Sequence, residues 1–484
     1  MDNQESRFAG QQLEFRRNRQ VHWDAVARRL DQWRGFGGYY HRRIAEVFQE
    51  IIPAGLRVLE IGCGEGDLLA SLQPSLGVGA DISVGMLRRS KQQHPHLHFI
   101  QSDGHSLGLG EKFDVIVLSD LLNEIWDVQG LCEQIQNVSG PATRIIINSY
   151  SQLWQLPLAA AAALKLAKPQ PPQNWLTVED ITNMLQLAGF EVVRSWPEIL
   201  FPIYLPLITP FANRMLVRLP FLKYFALCNV IVARTEPQGV ALKSKMPRVS
   251  VVVPARNEAG NIAEIFARTP EMGSGTELVF VEGHSSDNTY AAIESAIRSH
   301  PERLCQLMKQ PGVGKGDAVR CGFDHASGDI FMILDADLTV PPEELPRFYE
   351  AITSGRGEFI NGVRLVYPME EKAMRFANLV GNKFFSLAFT WLLGQPIKDT
   401  LCGTKVLARA DYARIAANRA HFGDFDPFGD FDLLFGAARQ NLKFAEIPIR
   451  YRQRTYGDTN IQRWQHGWLL LKMVFFAAWK IKFR

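Results

Sequence analysis

Residues 57–69 read RVLEIGCGEGDLL. Val58, Leu59 and Ile61 make a short apolar run of the kind that forms a buried strand. Gly62, Gly64 and Gly66 then impose a sharp turn, and a helix is expected to open near Asp67. Glycine serves where backbone must approach a ligand and a Cβ would collide. At residues 77–82 the run GVGADI puts Asp81 at the end of a second strand, where an acid can accept both hydroxyls of a ribose. A third strand end carries Ser102, Asp103 and Gly104, and a fourth strand, from Phe113 to Leu118, ends in Ser119 and Asp120. Four such ends meeting at one crevice predict a nucleoside site at the switch point of an open parallel sheet.

A second strand-and-helix start lies at residues 248–262, RVSVVVPARNEAGNI. A central strand there is followed by Pro254, Ala255, Arg256, Asn257 and Glu258. The next strand, from Glu277 to Val281, runs into Glu282 and on to Asp287. Residues 314–318, GKGDA, form a glycine-rich turn holding Lys315, and a third strand, from Ile330 to Leu334, ends in Asp335-Ala336-Asp337. Carboxylates at i and i+2 at a strand exit can hold one hard divalent cation and leave positions for phosphate oxygens. Asp-x-Asp by itself is a common tripeptide; its place after the apolar FMIL, with Thr339, Pro341 and Pro342 behind it, makes the signal specific.

The chain of 484 residues is long enough for about three domains of ordinary size, or two large ones. Residues 234–247, RTEPQGVALKSKMP, are polar and aperiodic and read as a linker. The expected division is therefore an α/β protein of two domains, 1–233 and 248–484, with largely parallel sheets. Residues 197–233 are expected as a hydrophobic cap or connector in the first, and 466–484 as an amphipathic end of the second. With 53 basic and 50 acidic residues interspersed, the net charge of +3 gives no ground for a nucleic-acid partner. Six singly placed cysteines, with no CxxC and no secretory leader, fit reduced thiols in a cytoplasmic protein.

The segment from about residue 37 to residue 150 resembles the class I S-adenosylmethionine-dependent methyltransferases, a Rossmann-like fold, with Glu60-Ile61-Gly62-Cys63-Gly64-Glu65-Gly66 as their first motif. The resemblance implies that Glu60, Gly62, Gly64 and Gly66 build the cofactor turn, that Asp81 meets the ribose and that Asp103 meets the adenine. Residues from 246 to about 465 resemble the family 2 glycosyltransferases of the GT-A nucleotide-diphosphosugar fold, nearest to the polyprenyl- and dolichyl-phosphate sugar transferases. The strings GKGDAVRCGFDHASGDIFMILDADL, IKDTLCGTKVLAR and GDFDLLFGAARQNLKFAEIPIRY carry this likeness. It implies that Pro254, Ala255, Asn257, Glu258, Glu282, Asp287, Lys315, Asp335 and Arg454 meet the nucleotide sugar, and that Asp335 and Asp337 bind Mg²⁺ or Mn²⁺. Glu282 stands where many members carry Asp, which leaves uracil and guanine both open. Residues 454–460, RTYGDTN, carry Asn460 where the subgroup's pattern has Lys.

Methyl transfer from a sulfonium is an in-line displacement in which positioning supplies much of the rate. A hydroxyl acceptor can also need a base, and Asp120, Glu124 and His105 are placed for it. In the second domain Asp430 and Asp432 stand in the position of the subgroup's acidic pair. Asp432 is the preferred base for a sugar hydroxyl, whereas a lipid phosphate is already ionised and needs none. Asp399, Cys402 and Lys405 are candidates for the acceptor mouth, with Cys402 better read as a small buried filler. The expectation is a bifunctional enzyme. It moves a sugar from a nucleotide diphosphosugar to a lipid phosphate or lipid-linked glycan, and O-methylates a related intermediate with S-adenosylmethionine. Two alternatives stand: a glycosyltransferase whose first half only docks, and a nucleotide-sugar sensor. No run of 18 or more uncharged apolar residues exists, and the C-terminal WLLLKMVFFAAWKIKFR reads either as core helix or as a helix in the bilayer interface. Peripheral contact with the inner face of the membrane is expected.

Overall fold

The computed structural model describes residues 2–30, 38–164, 170–219, 221–237, 246–364, 376–419, 431–449, 456 and 463–483. They fall into two compact units, Met1–Glu236 and Pro237–Arg484.

The first unit is built on seven strands: β1 (Arg57–Ile61), β2 (Leu76–Asp81), β3 (His98–Gln101), β4 (Phe113–Ser119), β5 (Ser139–Tyr150), β6 (Phe190–Glu198) and β7 (Cys228–Thr235). Their order across the sheet is β3-β2-β1-β4-β5-β7-β6. β1 lies parallel to both β2 and β4, and β7 runs antiparallel between β5 and β6. The chain leaves β1 toward β2 on one side and enters β4 on the other, so their exits flank the open crevice of a doubly wound sheet. Val58, Leu59, Ile116 and Val117 are fully buried, as strands covered by helices on both faces require. One expectation needs correction. Residues 197–233 are not all cap: Val230, Ile231, Val232 and Ala233 are buried inside the sheet as β7, and the strand continues through Thr235 into the expected linker. A strand buried on both faces reads as a plain apolar run, so its sequence resembles that of a greasy connector.

The second unit has β8 (Val249–Ala255), β9 (Thr276–Glu282), β10 (Leu304–Lys309), β11 (Ile330–Ile333), β12 (Phe359–Val363), β13 (Lys405–Ala408) and β14 (Phe444–Pro448). The order is β10-β9-β8-β11-β13-β12-β14, with β13 antiparallel to both neighbours and the rest parallel. Each sheet is thus parallel around its switch point and carries one inserted antiparallel strand. The helix Lys315–His325 lies tight on this sheet at Gly322, where a Cβ would come 2.4 Å from Val252. Phe323 of the same helix stacks on Phe331 of β11, ring centres 5.0 Å apart. This packing fixes the start of the helix, and with it Lys315, over the exit of β11.

The helices Phe376–Leu393 and Arg463–Ala477 belong to this unit too. Phe389, Leu392, Leu470 and Met473 are buried in its core. Phe384, Leu387 and Trp391 on the first helix are exposed, as are Trp468, Phe475 and Trp479 at the end of the chain. The C-terminal stretch therefore buries one set of side chains in the core and leaves another exposed. Among the described residues, no helix is long and apolar enough to cross a membrane.

Candidate functional site

In the first unit the glycine turn takes its expected shape, with Gly62, Gly64 and Gly66 all at positive φ. A Cβ on Gly62 would press on Leu121 and one on Gly66 on Phe99, whereas Gly64 faces open space. Asp81 is buried at the exit of β2. Its Oδ2 accepts the Gly64 N–H at 2.9 Å and its Oδ1 the Ser83 N–H at 2.8 Å, which ties the glycine turn to the next helix. Burial raises this carboxyl above the usual range, against those two bonds. Glu60 is buried and accepts the Leu69 N–H at 3.1 Å, and burial pushes it up to about 8. It is a positioning residue for the helix Asp67–Ser71.

Asp120 follows β4 at φ 54, a conformation that costs a non-glycine residue and that concentrates at functional sites. Its Oδ1 accepts from the Tyr40 hydroxyl at 2.7 Å and from Asn148 at 2.6 Å. The helix Asp2–Ala27 supplies partners that were not anticipated. Arg16 meets Asp103 at 2.6 Å, Trp23 donates to Glu124 at 2.7 Å, and Asp24 accepts from Ser83 Oγ at 2.6 Å and Gly85 N at 2.8 Å. Asp103 is thus already paired with a guanidinium. Burial pushes Glu124 up to about 7, while its bond from Trp23 works the other way. His105 contacts the Asp127 carbonyl at 3.1 Å through Nε2. The open space at Gly64, together with the buried Nδ1 of His105 and Oδ1 of Asn148, which lack hydrogen-bond partners, fits a polar ligand lodged at these strand ends.

In the second unit Lys315 Nζ lies 2.6 Å from Asp335 Oδ1 at the exit of β11. Gly403 is the third party: a Cβ there would fall 1.9 Å from Asp335 Oδ2 and 2.5 Å from Lys315 Nζ. Asp337 is held by Thr339, whose N–H and hydroxyl both donate to Oδ1, at 3.1 and 2.7 Å. Burial and the adjacent Asp335 charge raise Asp337 above its ordinary value. Two hard carboxylates, with an ammonium already drawn to one of them, suit a divalent cation and a phosphate chain.

The exit of β8 faces the exit of β9. Asn257, at φ 58, accepts the Ser286 N–H at 2.8 Å and donates its own N–H to Ser285 Oγ at 3.0 Å. Asp287 takes the Thr289 N–H at 3.0 Å and the Ala259 N–H at 3.3 Å; burial works to raise its carboxyl, but these bonds and the Thr289 hydroxyl hold it below the usual range. Ala255, Glu258 and Glu282 are buried, and Pro254 sits within β8. Glu258 accepts from Asn261 at 2.7 Å and Glu282 from the Ser285 N–H at 2.5 Å, so both shape the loops from within.

Asp432 opens the helix Phe431–Arg439, with Arg419 Nε at 2.8 Å and Arg320 Nη1 at 3.9 Å. Asp430 and Arg454 lie outside the described residues. Asp399, Cys402 and Lys405 do not line an open mouth: all three are buried. Asp399 forks to Arg364 at 2.7 and 2.8 Å, Lys405 donates to the Cys402 carbonyl at 2.6 Å, and burial pushes the Cys402 thiol up to about 12.

Residues 250–415 match the model of glycosyl transferase family 2, and residues 32–195 match that of a methyltransferase domain. The chain carries a methyltransferase domain followed by a family 2 glycosyltransferase domain. An undecaprenyl-phosphate 4-deoxy-4-formamido-L-arabinose transferase from Edwardsiella ictaluri is 37% identical over 215 residues, 44% of this chain and 62% of that protein. A dolichol-phosphate mannosyltransferase from Pyrococcus furiosus is 37% identical over 110 residues, 22% of this chain and 31% of that protein. The chain thus spans less than two thirds of either relative. A solved S-adenosylmethionine-dependent methyltransferase from Thermotoga maritima, titled a possible histamine N-methyltransferase, aligns at 13% identity and a TM-score of 0.37, covering 44% of this chain and 98% of that one.

In the glycosyltransferase domain, sequence reasoning passed over Gly403, although it stands inside the quoted IKDTLCGTKVLAR. In the methyltransferase domain it missed Arg16, Trp23 and Asp24, which precede the first motif by too far to be associated with it. Two outcomes follow. Gly403→Ala drives its Cβ into the Asp335 carboxylate. Metal-stimulated binding of a nucleoside diphosphate, read by calorimetry, is expected to weaken at least tenfold while the thermal unfolding profile stays near that of the parent. Glu124 and Glu60 bind protons more tightly folded than unfolded, so the stability linked to those protons is fully present below about pH 4.5 and is lost as pH rises from there through the folded value. Glu124→Gln should therefore flatten the fall in denaturant stability between about pH 5 and 7, by up to about 1.4 kcal/mol per pH unit. An unchanged slope would contradict the burial of an acid at that position.

Proposed function

We propose that the chain is a bifunctional transferase acting on lipid-linked glycans. The glycosyltransferase domain moves a sugar from a nucleotide diphosphosugar to a lipid phosphate or a lipid-linked glycan, in a single inverting displacement. The observation that carries this is the cluster of Lys315, Asp335 and Gly403 at the exit of β11, next to the Asn257 and Asp287 loops. Asp335 and Asp337 would hold Mg²⁺ or Mn²⁺, which when bound supplies a Lewis acid for the departing diphosphate. Lys315 adds a fixed positive charge beside it, and the loops after β8 and β9 orient the nucleoside. Asp432 is engaged by Arg419 and Arg320, an arrangement that suits orienting an ionised phosphate acceptor better than taking a proton from a hydroxyl. The lipid phosphates in the names of the relatives support the same acceptor class.

The methyltransferase domain is proposed to bind S-adenosylmethionine across Gly62, Gly64 and Asp81 and to O-methylate a related glycan or lipid intermediate. Two acids can take the proton. Asp120 is aimed by Tyr40 and Asn148, and Glu124 has its carboxyl raised to about 7, close to an effective value for a neutral-pH base. Arg16 on Asp103 favours the alternative that this half only docks, because it occupies the acid assigned to the adenine. Peripheral membrane contact at the cytoplasmic face is supported by the exposed Trp468, Phe475 and Trp479 beside Lys472 and Lys480.

Mass spectrometry of lipid-linked sugars from cells with and without the protein tests both halves. A mass difference of one sugar plus one methyl is expected with the intact protein, and one sugar alone with Asp81→Ala. With Asp335→Ala the sugar-bearing species should be absent. Loss of neither unit in the two variants contradicts the assignment. Absence of S-adenosylmethionine binding by calorimetry would support the docking alternative instead.

A further inference from the structure

We infer that the methyltransferase domain has a membrane-docking face of its own, which takes an anionic bilayer surface. It is formed by residues 201–219 and 221–225 and the helix Gln155–Ala163. This helix reads QLPLAAAAA and buries none of its residues. Leu158 rests against the core, but a helix that is apolar nearly all round and fully buries no side chain leaves most of its apolar surface for something else to cover. Leu156 on it is 81% exposed, and in the neighbouring segment Leu207 is 86% and Phe221 84% exposed. The two pieces meet where Trp154, just before the helix, donates its indole N–H to the Phe225 carbonyl at 2.9 Å.

The exposure is built rather than frayed. Asn213 Oδ1 accepts the Leu200 and Phe201 N–H groups, both at 2.8 Å, and its Nδ2 donates to the Phe201 carbonyl at 2.8 Å. Thr209 Oγ1 closes the tip by accepting from Leu205 N at 2.8 Å and donating to the Ile203 carbonyl at 2.7 Å. At that tip Leu207 adopts φ 66 and faces outward. A leucine in the left-handed region is strained, and such strain persists where the outward side chain is used.

Charge chooses the occupant. From Ile199 to Thr235 the sequence holds no Asp or Glu. The exposed charged residues within 201–225 are Arg214 and Lys223, both basic, with Arg214 3.9 Å from Glu46. Lys223 lies over the Tyr224 ring, 5.0 Å from its centre. Aliphatic and aromatic tips flanked by basic side chains suit the boundary between acyl chains and anionic headgroups. A protein partner would be expected to find polar groups among the exposed side chains to pair with.

The face also adjoins the crevice. Tyr204 packs on Tyr39 with ring centres 5.7 Å apart, Asn213 donates to the Tyr39 hydroxyl at 3.1 Å, and the adjacent Tyr40 donates to Asp120. If the methylation reading holds, the acceptor arrives from the lipid side; docking itself does not depend on that reading.

The test uses the full chain and sedimentation with vesicles of phosphatidylethanolamine and phosphatidylglycerol, against pure phosphatidylcholine. The parent should partition to the anionic vesicles. The triple variant Leu156→Ser/Leu207→Ser/Phe221→Ser should lose at least tenfold in partition coefficient with an unchanged thermal transition. The same loss is expected when Trp468, Phe475 and Trp479 are already Ser, which separates this face from the C-terminal one. Lys223→Glu should weaken binding several-fold at low salt and little at high salt. If the triple variant is destabilised, Leu207→Ser alone carries the test, with a severalfold loss expected. Equal partitioning of parent and variant overturns the inference. So does failure of the parent to bind, or a vesicle-free dimer that the triple variant dissociates, since the face would then cover a second copy.

Discussion

The contact between Lys315, Asp335 and Gly403 sets the terms for the second half of the chain. An ammonium 2.6 Å from a carboxylate, with a backbone so near that a Cβ would fall 1.9 Å from the acid, leaves no freedom in where that acid points. The surrounding fold serves this placement. Gly322 lets the helix that begins at Lys315 settle on β8, and β13 brings the loop holding Gly403 antiparallel alongside β11. The pair of half-buried Arg364 and buried Asp399 braces the same loop, with Asp399 also accepting the Leu401 N–H at 3.1 Å. A pair of this kind is costly to break, because loss of one partner strands the other charge away from water.

The first half solves a related problem by other means. Its acids at strand ends are held by backbone N–H groups and by side chains from a helix and from the neighbouring strand β5. Asp81 joins the glycine turn to the following helix, and Asp120 is fixed by Tyr40 and Asn148. In both halves several non-glycine residues in the left-handed region fall just past strand exits, among them Asp120, Asn257 and His284. Strain placed there and nowhere near the strand centres is consistent with sites whose geometry is maintained by their surroundings.

The two folds and the strand-end residues were legible because they rest on local rules. A buried strand, a glycine turn and a terminal acid are neighbours in sequence, so the positions of Asp81 and Asp335 at strand exits could be read directly. What was not legible depends on contacts between distant residues. Arg16 reaches Asp103 across 87 positions (103 − 16) and Arg364 reaches Asp399 across 35, and no periodicity announces either pair. Glu60, Glu258 and Glu282 were expected among the cofactor- and nucleotide-binding residues because they sit inside motifs, and each is buried and holds a backbone N–H or an amide. A motif marks which residues are constrained but not which way each one faces. β7 was hidden for another reason: a strand buried on both faces and a hydrophobic connector have the same composition.

The most direct measurement is titration of the full chain with uridine or guanosine diphosphate, with Mn²⁺ present and with the metal chelated. Binding that requires Mn²⁺ and is lost in Asp335→Asn, with S-adenosylmethionine binding unchanged in the same variant, is the predicted result. Equal nucleotide affinity with and without metal, or in parent and variant alike, would contradict the account.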